Sequence, residues 1–283
     1  MYGLSPLRLG TCAFTAPGWP GSFYPKGLSS KEFLRFYAEE LSTVELDVTW
    51  YRTPTPEMIA AWYAKTPPGF VFAAKVPQTI THDKVLEGCA AEMREFLAAM
   101  RGLREKLGPL LLQFPHFSRG YFATLAQFLD VLEPFLDALP RDLKFAVEVR
   151  NETWANQRLL DVLRARNVAF AWTDRAGMTP PRQFASQLDP VTADFTYIRW
   201  LGDRKLIETI TKSWDRTVVD RTAEITDWAE LLTELRRREI AVYGYVNNHY
   251  GGHAPDTVRA LLDLVAPEQR KRRPPQYEQR GLF

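Results

Sequence analysis

Eight short runs rich in β-branched and aromatic residues recur along this chain, with amphipathic helical stretches between most of them, and this rhythm restricts the fold more than any other feature. The runs are residues 7–12, 43–49, 70–76, 109–114, 143–150, 168–173, 194–200 and 241–246. Met93, Phe96, Leu97, Met100, Leu103 and Leu107 fall on one helical face, as do Phe122, Leu125, Phe128, Leu129, Leu132 and Leu136. Trp228, Leu231, Leu232 and Leu235 mark a third helix, and Val258, Leu261, Leu262 and Val265 a fourth. The sixth crossover, 175–191, is polar and proline-rich and reads as a long loop or degenerate helix. Strand–helix alternation repeated eight times predicts a closed TIM-type (β/α)8 barrel. No Gly-rich phosphate fingerprint follows the first run, which counts against an open dinucleotide-binding sheet. The 283 residues suit one barrel domain, placed at 1–266, with a basic Pro-rich tail at 267–283.

Charge excludes little. The net +2 divides into +3 on the tail and −1 on the body, so bulk charge gives the body no argument for nucleic-acid binding. No run of about 18 apolar residues exists, and residues 1–9 carry no apolar signal core, so a soluble, cytoplasmic protein is expected. Cys12 and Cys89, without paired spacing, predict reduced buried thiols rather than a disulfide framework or zinc site.

Alternation along the strands assigns side chains to the barrel axis. With Val44, Leu46 and Val48 toward the helices, Glu45, Asp47 and Thr49 point inward. So do Lys75, Gln113, Glu148, Arg150, Tyr197, Arg199, Tyr243, Tyr245 and Asn247. Most lie near C-terminal strand ends, where barrel enzymes build their sites. Burying Lys75, Arg150 and Arg199 near Glu45 and Glu148 requires pairing or a ligand. A paired floor that merely fills the barrel therefore competes with a ligand site, in which the cations hold an anion and Glu45 and Glu148 serve as acid or base.

Each of the four histidines, His82, His116, His249 and His253, follows a strand end. His82 is the candidate proton carrier, and a metal shared with Glu148 or Asp174 is disfavoured because no HxH or HExxH spacing occurs. No cofactor motif is present, so the cofactor is left unassigned. Asp174, just beyond the sixth run, joins the catalytic candidates. Asn247 and Asn248 would orient a ligand. Trp19, in the aromatic loop 12–25, and Trp154 could stack on a sugar or base, or could simply pack.

These residues carry a family pattern. The matching stretches are Gly10-Thr11 with Trp19, Gly21 and Phe23-Tyr24-Pro25; Thr43-Val44-Glu45 with Thr49 and Tyr51; and Lys75-Val76-Pro77 with Ile80-Thr81-His82. Gly108 through Pro115, Glu148-Val149-Arg150-Asn151 with Trp154, Tyr197-Ile198-Arg199 with Gly202, and Tyr245-Val246-Asn247-Asn248 continue it. Along nearly its whole length the chain resembles the DUF72, or YecE-like, family. The resemblance implies a TIM-type barrel and supplies no reaction. This chain reads Thr11-Cys12-Ala13-Phe14 where relatives commonly have Ser-Gly-Trp, Asp47 in place of a frequent Asn, and Trp200-Leu201-Gly202 where relatives often carry His before the Gly.

Three functions remain open. One is a hydrolase- or lyase-type enzyme acting on a phosphate- or sugar-bearing anionic ligand. Another is a nucleic-acid-processing or binding protein, since the terminal Gln279-Arg280-Gly281-Leu282-Phe283 resembles the peptide by which bacterial DNA-handling proteins dock on the sliding clamp. In that case Gln279, Leu282 and Phe283 would make the contact; the competing reading has the last two fold back on the barrel. The third is a non-catalytic metabolite-binding barrel.

Overall fold

The structure, a computed structural model, describes residues 6–269. Its parallel strands close in sequence order, β8 pairing with β1: β1 Leu7–Thr11, β2 Thr43–Leu46, β3 Val71–Lys75, β4 Leu107–Gln113, β5 Phe145–Glu148, β6 Ala169–Arg175, β7 Phe195–Gly202 and β8 Ala241–Val246. Around them run α1 Phe33–Glu40, α2 Pro56–Lys65, α3 Ala90–Met100, α4 Leu125–Asp137, α5 Gln157–Arg164, α6 Pro181–Gln187, α7 Arg204–Ile210, α8 Thr222–Arg237 and α9 Ala254–Val265. The fold is a TIM-type (β/α)8 barrel. Among the described residues no helix is long and apolar enough to cross a membrane. Gln279, Leu282 and Phe283 lie outside the described residues.

Local chemistry sets the helix starts. Thr55, Thr124, Asn156 and Asp203 each accept a backbone N–H of the following turn, at the starts of α2, α4, α5 and α7. The sixth crossover does shorten to the seven-residue α6, which starts on Pro181 and packs Phe184 against Phe170 at 5.5 Å. Several expected boundaries move. The second run leaves the sheet after Leu46, because Asp47–Trp50 turns and Thr49 donates its hydroxyl to the carbonyls of Leu46 and Lys75. Leu107 belongs to β4 rather than the preceding helix, since the 3-10 turn Arg101–Lys106 intervenes, and Phe122 precedes α4. β6 extends two residues beyond expectation to Arg175, and α7 appears ahead of the crossover helix α8.

Two cores result. The larger lies between sheet and helices, and strand residues such as Val44, Phe72, Leu112, Val147, Ile198 and Trp200 fill it. A smaller one lies on the axis, built from Cys12, Ala73, Leu111, Ala146, Ala169, Ala171, Phe195, Tyr197 and Tyr245. Small side chains dominate this inner column, so the bulky polar groups have room at its top. Both cysteines are free and buried.

Candidate functional site at the barrel mouth

The polar centre is built around Arg199 of β7, which is 2% exposed. Its Nη1 donates to Glu148 Oε2 at 2.6 Å and its Nη2 to Glu45 Oε1 at 2.8 Å. Glu45 Oε2 accepts the Tyr197 hydroxyl at 2.6 Å, and Arg150 Nε reaches Glu148 Oε1 at 3.2 Å. Both carboxylates are thus fully engaged beneath the mouth, as buried charge demands. Burial alone would push Glu148 up, yet the Arg199 and Arg150 guanidinium groups outweigh it and carry the carboxyl down to about 2. Glu148 is therefore a permanent anion near neutrality and no proton donor. Burial pushes the nearby Cys12 thiol up, with Glu45 adding to the effect, so this is no thiolate nucleophile. The buried Arg199 Nε has no hydrogen-bond partner among the described residues.

Above this floor opens a cavity of about 890 Å³. Six basic side chains line it, namely Lys75, Arg150, Arg175, Arg199, Arg204 and Lys205, against the carboxylates of Asp47 and Asp203. Lys75 forms an ion pair with Asp47. The Arg175 guanidinium makes no hydrogen bond or ion pair with the described residues, although it is only partly exposed. Gln113 lines the cavity and donates to the Phe114 carbonyl at 2.8 Å. Asn247 lines it too, its Oδ1 lying 2.6 Å from His249 Nδ1, and His249 Nε2 is 3.1 Å from Glu208 on α7.

His82 reaches the same cavity from the π-helical turn Thr79–Asp83 after β3. Its Nδ1 is held 2.8 Å from the Thr81 hydroxyl, leaving Nε2 free of hydrogen bonds among the described residues. Burial and then the Arg150 charge lower its pKa below the usual 6.5, so the ring is neutral near pH 7.

The structure brings together Glu45, Glu148, His82, Lys75, Gln113, Arg150, Arg199 and Asn247. Other candidates lie elsewhere. Tyr245 is buried one layer down, its hydroxyl 3.0 Å from Thr43 Oγ1. Trp19 is buried in the first loop, where its indole N–H donates to Asn248 Oδ1 at 3.2 Å. Asn248 also accepts the Ala254 N–H at 2.9 Å and so ties the start of α9 to that loop. Trp154 stacks on Phe128 at 5.1 Å and Phe117 at 5.7 Å, away from the cavity. Asp174 pairs in register with the outward Trp200 and faces α8, where it accepts the Trp228 N–H at 2.8 Å and the Tyr250 hydroxyl at 2.9 Å. Burial raises its pKa.

Arg175, Arg204 and Lys205 were not foreseen as cavity residues. Continuing the inward series Ala171, Thr173 by one more step reaches Arg175, so that signal was present; α7 offered none beyond Asp203 as a cap. Among the described residues no cluster of three or more His, Cys, Asp or Glu could hold a metal ion.

Comparison with known proteins places this architecture. A solved structure of a DUF72 family protein from Thermotoga maritima superposes with a TM-score of 0.74 at 27% identity, covering 92% of this chain and 98% of that one. One from Enterococcus faecalis gives 0.68 at 22% identity over 92% and 95%, and supports the fold alone. The UPF0759 protein YecE of Escherichia coli is 35% identical over 139 residues, a match spanning only 47% of either chain. The UPF0759 protein YunF of Bacillus subtilis is 23% identical over 88% of this chain and 92% of its own length. The family model described as "Protein of unknown function DUF72" matches residues 8–280, and the chain belongs to that family.

Proposed function

We propose that the barrel mouth binds a small phosphate-bearing molecule and that the chain is an enzyme of the hydrolase or lyase type. The observation that carries this reading is the surplus of cations around the cavity, above all Arg175, which has no ion pair among the described residues, beside the doubly ion-paired Arg199. A half-buried guanidinium with no ion pair among the described residues keeps its donors free for an anion, and its planar fork suits phosphate oxygens. Glu148, ionised and fully bonded, orients Arg199 and Arg150 rather than moving protons. Proton transfer falls to His82, whose free Nε2 can take a proton from an attacking water or from a carbon acid next to the bound anion.

Calorimetric titration of the full chain with inorganic phosphate tests the binding half. Saturable binding is expected, weakened about tenfold in Arg175→Ala, the share of one charge-assisted contact. Equal binding by both proteins, or none by either, overturns the reading. Binding in which a phosphate-ester screen finds no turnover would leave a metabolite-binding barrel.

A further inference from the structure

The cavity has a neighbour on the side of β6. A second chamber of about 390 Å³ lies beyond it, between the loop after β6 and helix α8, and the two share Arg175, Ala176, Gly177, Gly202 and Asp203 as a common wall. The middle of that wall carries nothing larger than a methyl group. Gly202 has φ +65°, and a Cβ there would come within 2.3 Å of the His249 carbonyl oxygen, so no larger side chain fits without displacing the turn after β8. The register shift in the β6–β7 pairing between Asp174 and Arg175 sits at this wall. Arg175 borders both spaces, and Asp174 borders only the second.

In the second chamber most charged groups are already engaged. Arg182 bonds Asp227 and Glu230 at 2.7 Å each, Arg221 bonds Glu224 at 2.8 Å, and Asp203 caps the Leu206 N–H at 3.1 Å. Asp174 differs. Its Oδ2 takes both the Trp228 and Tyr250 donors, whereas its Oδ1 accepts no hydrogen bond from the described residues. Met178, Pro180 and Leu231 supply an apolar surface in the same chamber. A fixed carboxylate oxygen next to an apolar surface is the combination that holds a ring with hydroxyl groups on its edge and C–H groups on its face.

We infer that the two chambers form one divided site, and that its ligand is a phosphate ester of a hydroxylated ring, with the phosphate at Arg175 and the ring against Asp174. This rests on the anion reading above and extends it to a substrate class. The ring hydroxyls donate to Asp174 Oδ1 while Arg175, spanning the wall, holds the phosphate on the other side.

The full chain is titrated with inorganic phosphate and with ribose 5-phosphate, as wild type, Asp174→Asn and Met178→Trp. The ester is expected to bind about tenfold more tightly than phosphate, the worth of a hydrogen bond to a charged group. Asp174→Asn should remove most of that advantage and leave phosphate affinity unchanged. Met178→Trp, which fills the chamber and keeps the Asp174 carboxylate, should do the same. Phosphate binding with no advantage for the ester, or an advantage that survives both variants, overturns the divided site alone. Absence of binding by either probe overturns the anion reading and this inference with it.

Discussion

Arg199 and Arg175 occupy neighbouring strands of one barrel and border the same cavity, yet their surroundings are opposite. Arg199 is sealed beneath the mouth between two carboxylates, each of which has a second donor. Arg175 stands at the wall without an ion pair among the described residues. Charge that is buried and mutually satisfied fixes geometry, because removing one member strands the others in a low-dielectric interior. Charge that is partly exposed and unsatisfied adds little to folding and remains available to something from outside. A polar floor thus leaves room for the ligand site proposed above it.

The contrast breaks most visibly in stability. Arg199→Met should destabilise the chain by about 3–5 kcal/mol in urea unfolding, whereas Arg175→Met should stay within about 0.5 kcal/mol. Similar losses in the two variants would erase the distinction.

A smaller effect concerns acid. The folded-state pKa of Glu148, about 2, lies below its ordinary value of 4.5, so its stabilising contribution is present above that value and is lost as pH falls toward 2. Thermal melts of wild type should therefore decline across this window, and Glu148→Gln should show a flatter acid limb from a lower starting stability. An unaltered limb would mean that Glu148 is not held as an anion by its arginines.

The subtlest test lies above the floor. In NMR titration His82 should have its midpoint below 6.5, and saturating phosphate should move it upward, since burial and the Arg150 charge disfavour the imidazolium and an added anion favours it. A midpoint that does not respond to phosphate would place the anion away from His82.

Much of this was legible in sequence because strand alternation is a local rule. Glu45, Glu148 and Arg199 could be aimed at the axis from their apolar neighbours alone, and their meeting followed once the barrel was inferred. What escaped depended on distant partners. Asp174 looked like a mouth residue because it follows a strand, but its pairing with Trp200 and the indole of Trp228 set its direction. Trp19 and Trp154 had the composition of stacking platforms, and only neighbouring aromatic rings decided that they pack. Arg175 was lost to a strand boundary drawn at Thr173, where polar residues imitate a loop.

The central cluster also has a timetable. Its carboxylates come from β2 and β5 and their shared cation from β7, so a nascent chain carries both acids well before the arginine that will neutralise them. Until β7 is made the two carboxylates lack the guanidinium that bridges them, although Arg150 already follows Glu148 by two residues, and burying Glu45 without that bridge is costly. The bridge that organises the mouth is therefore completed only when the seventh strand joins the second and fifth.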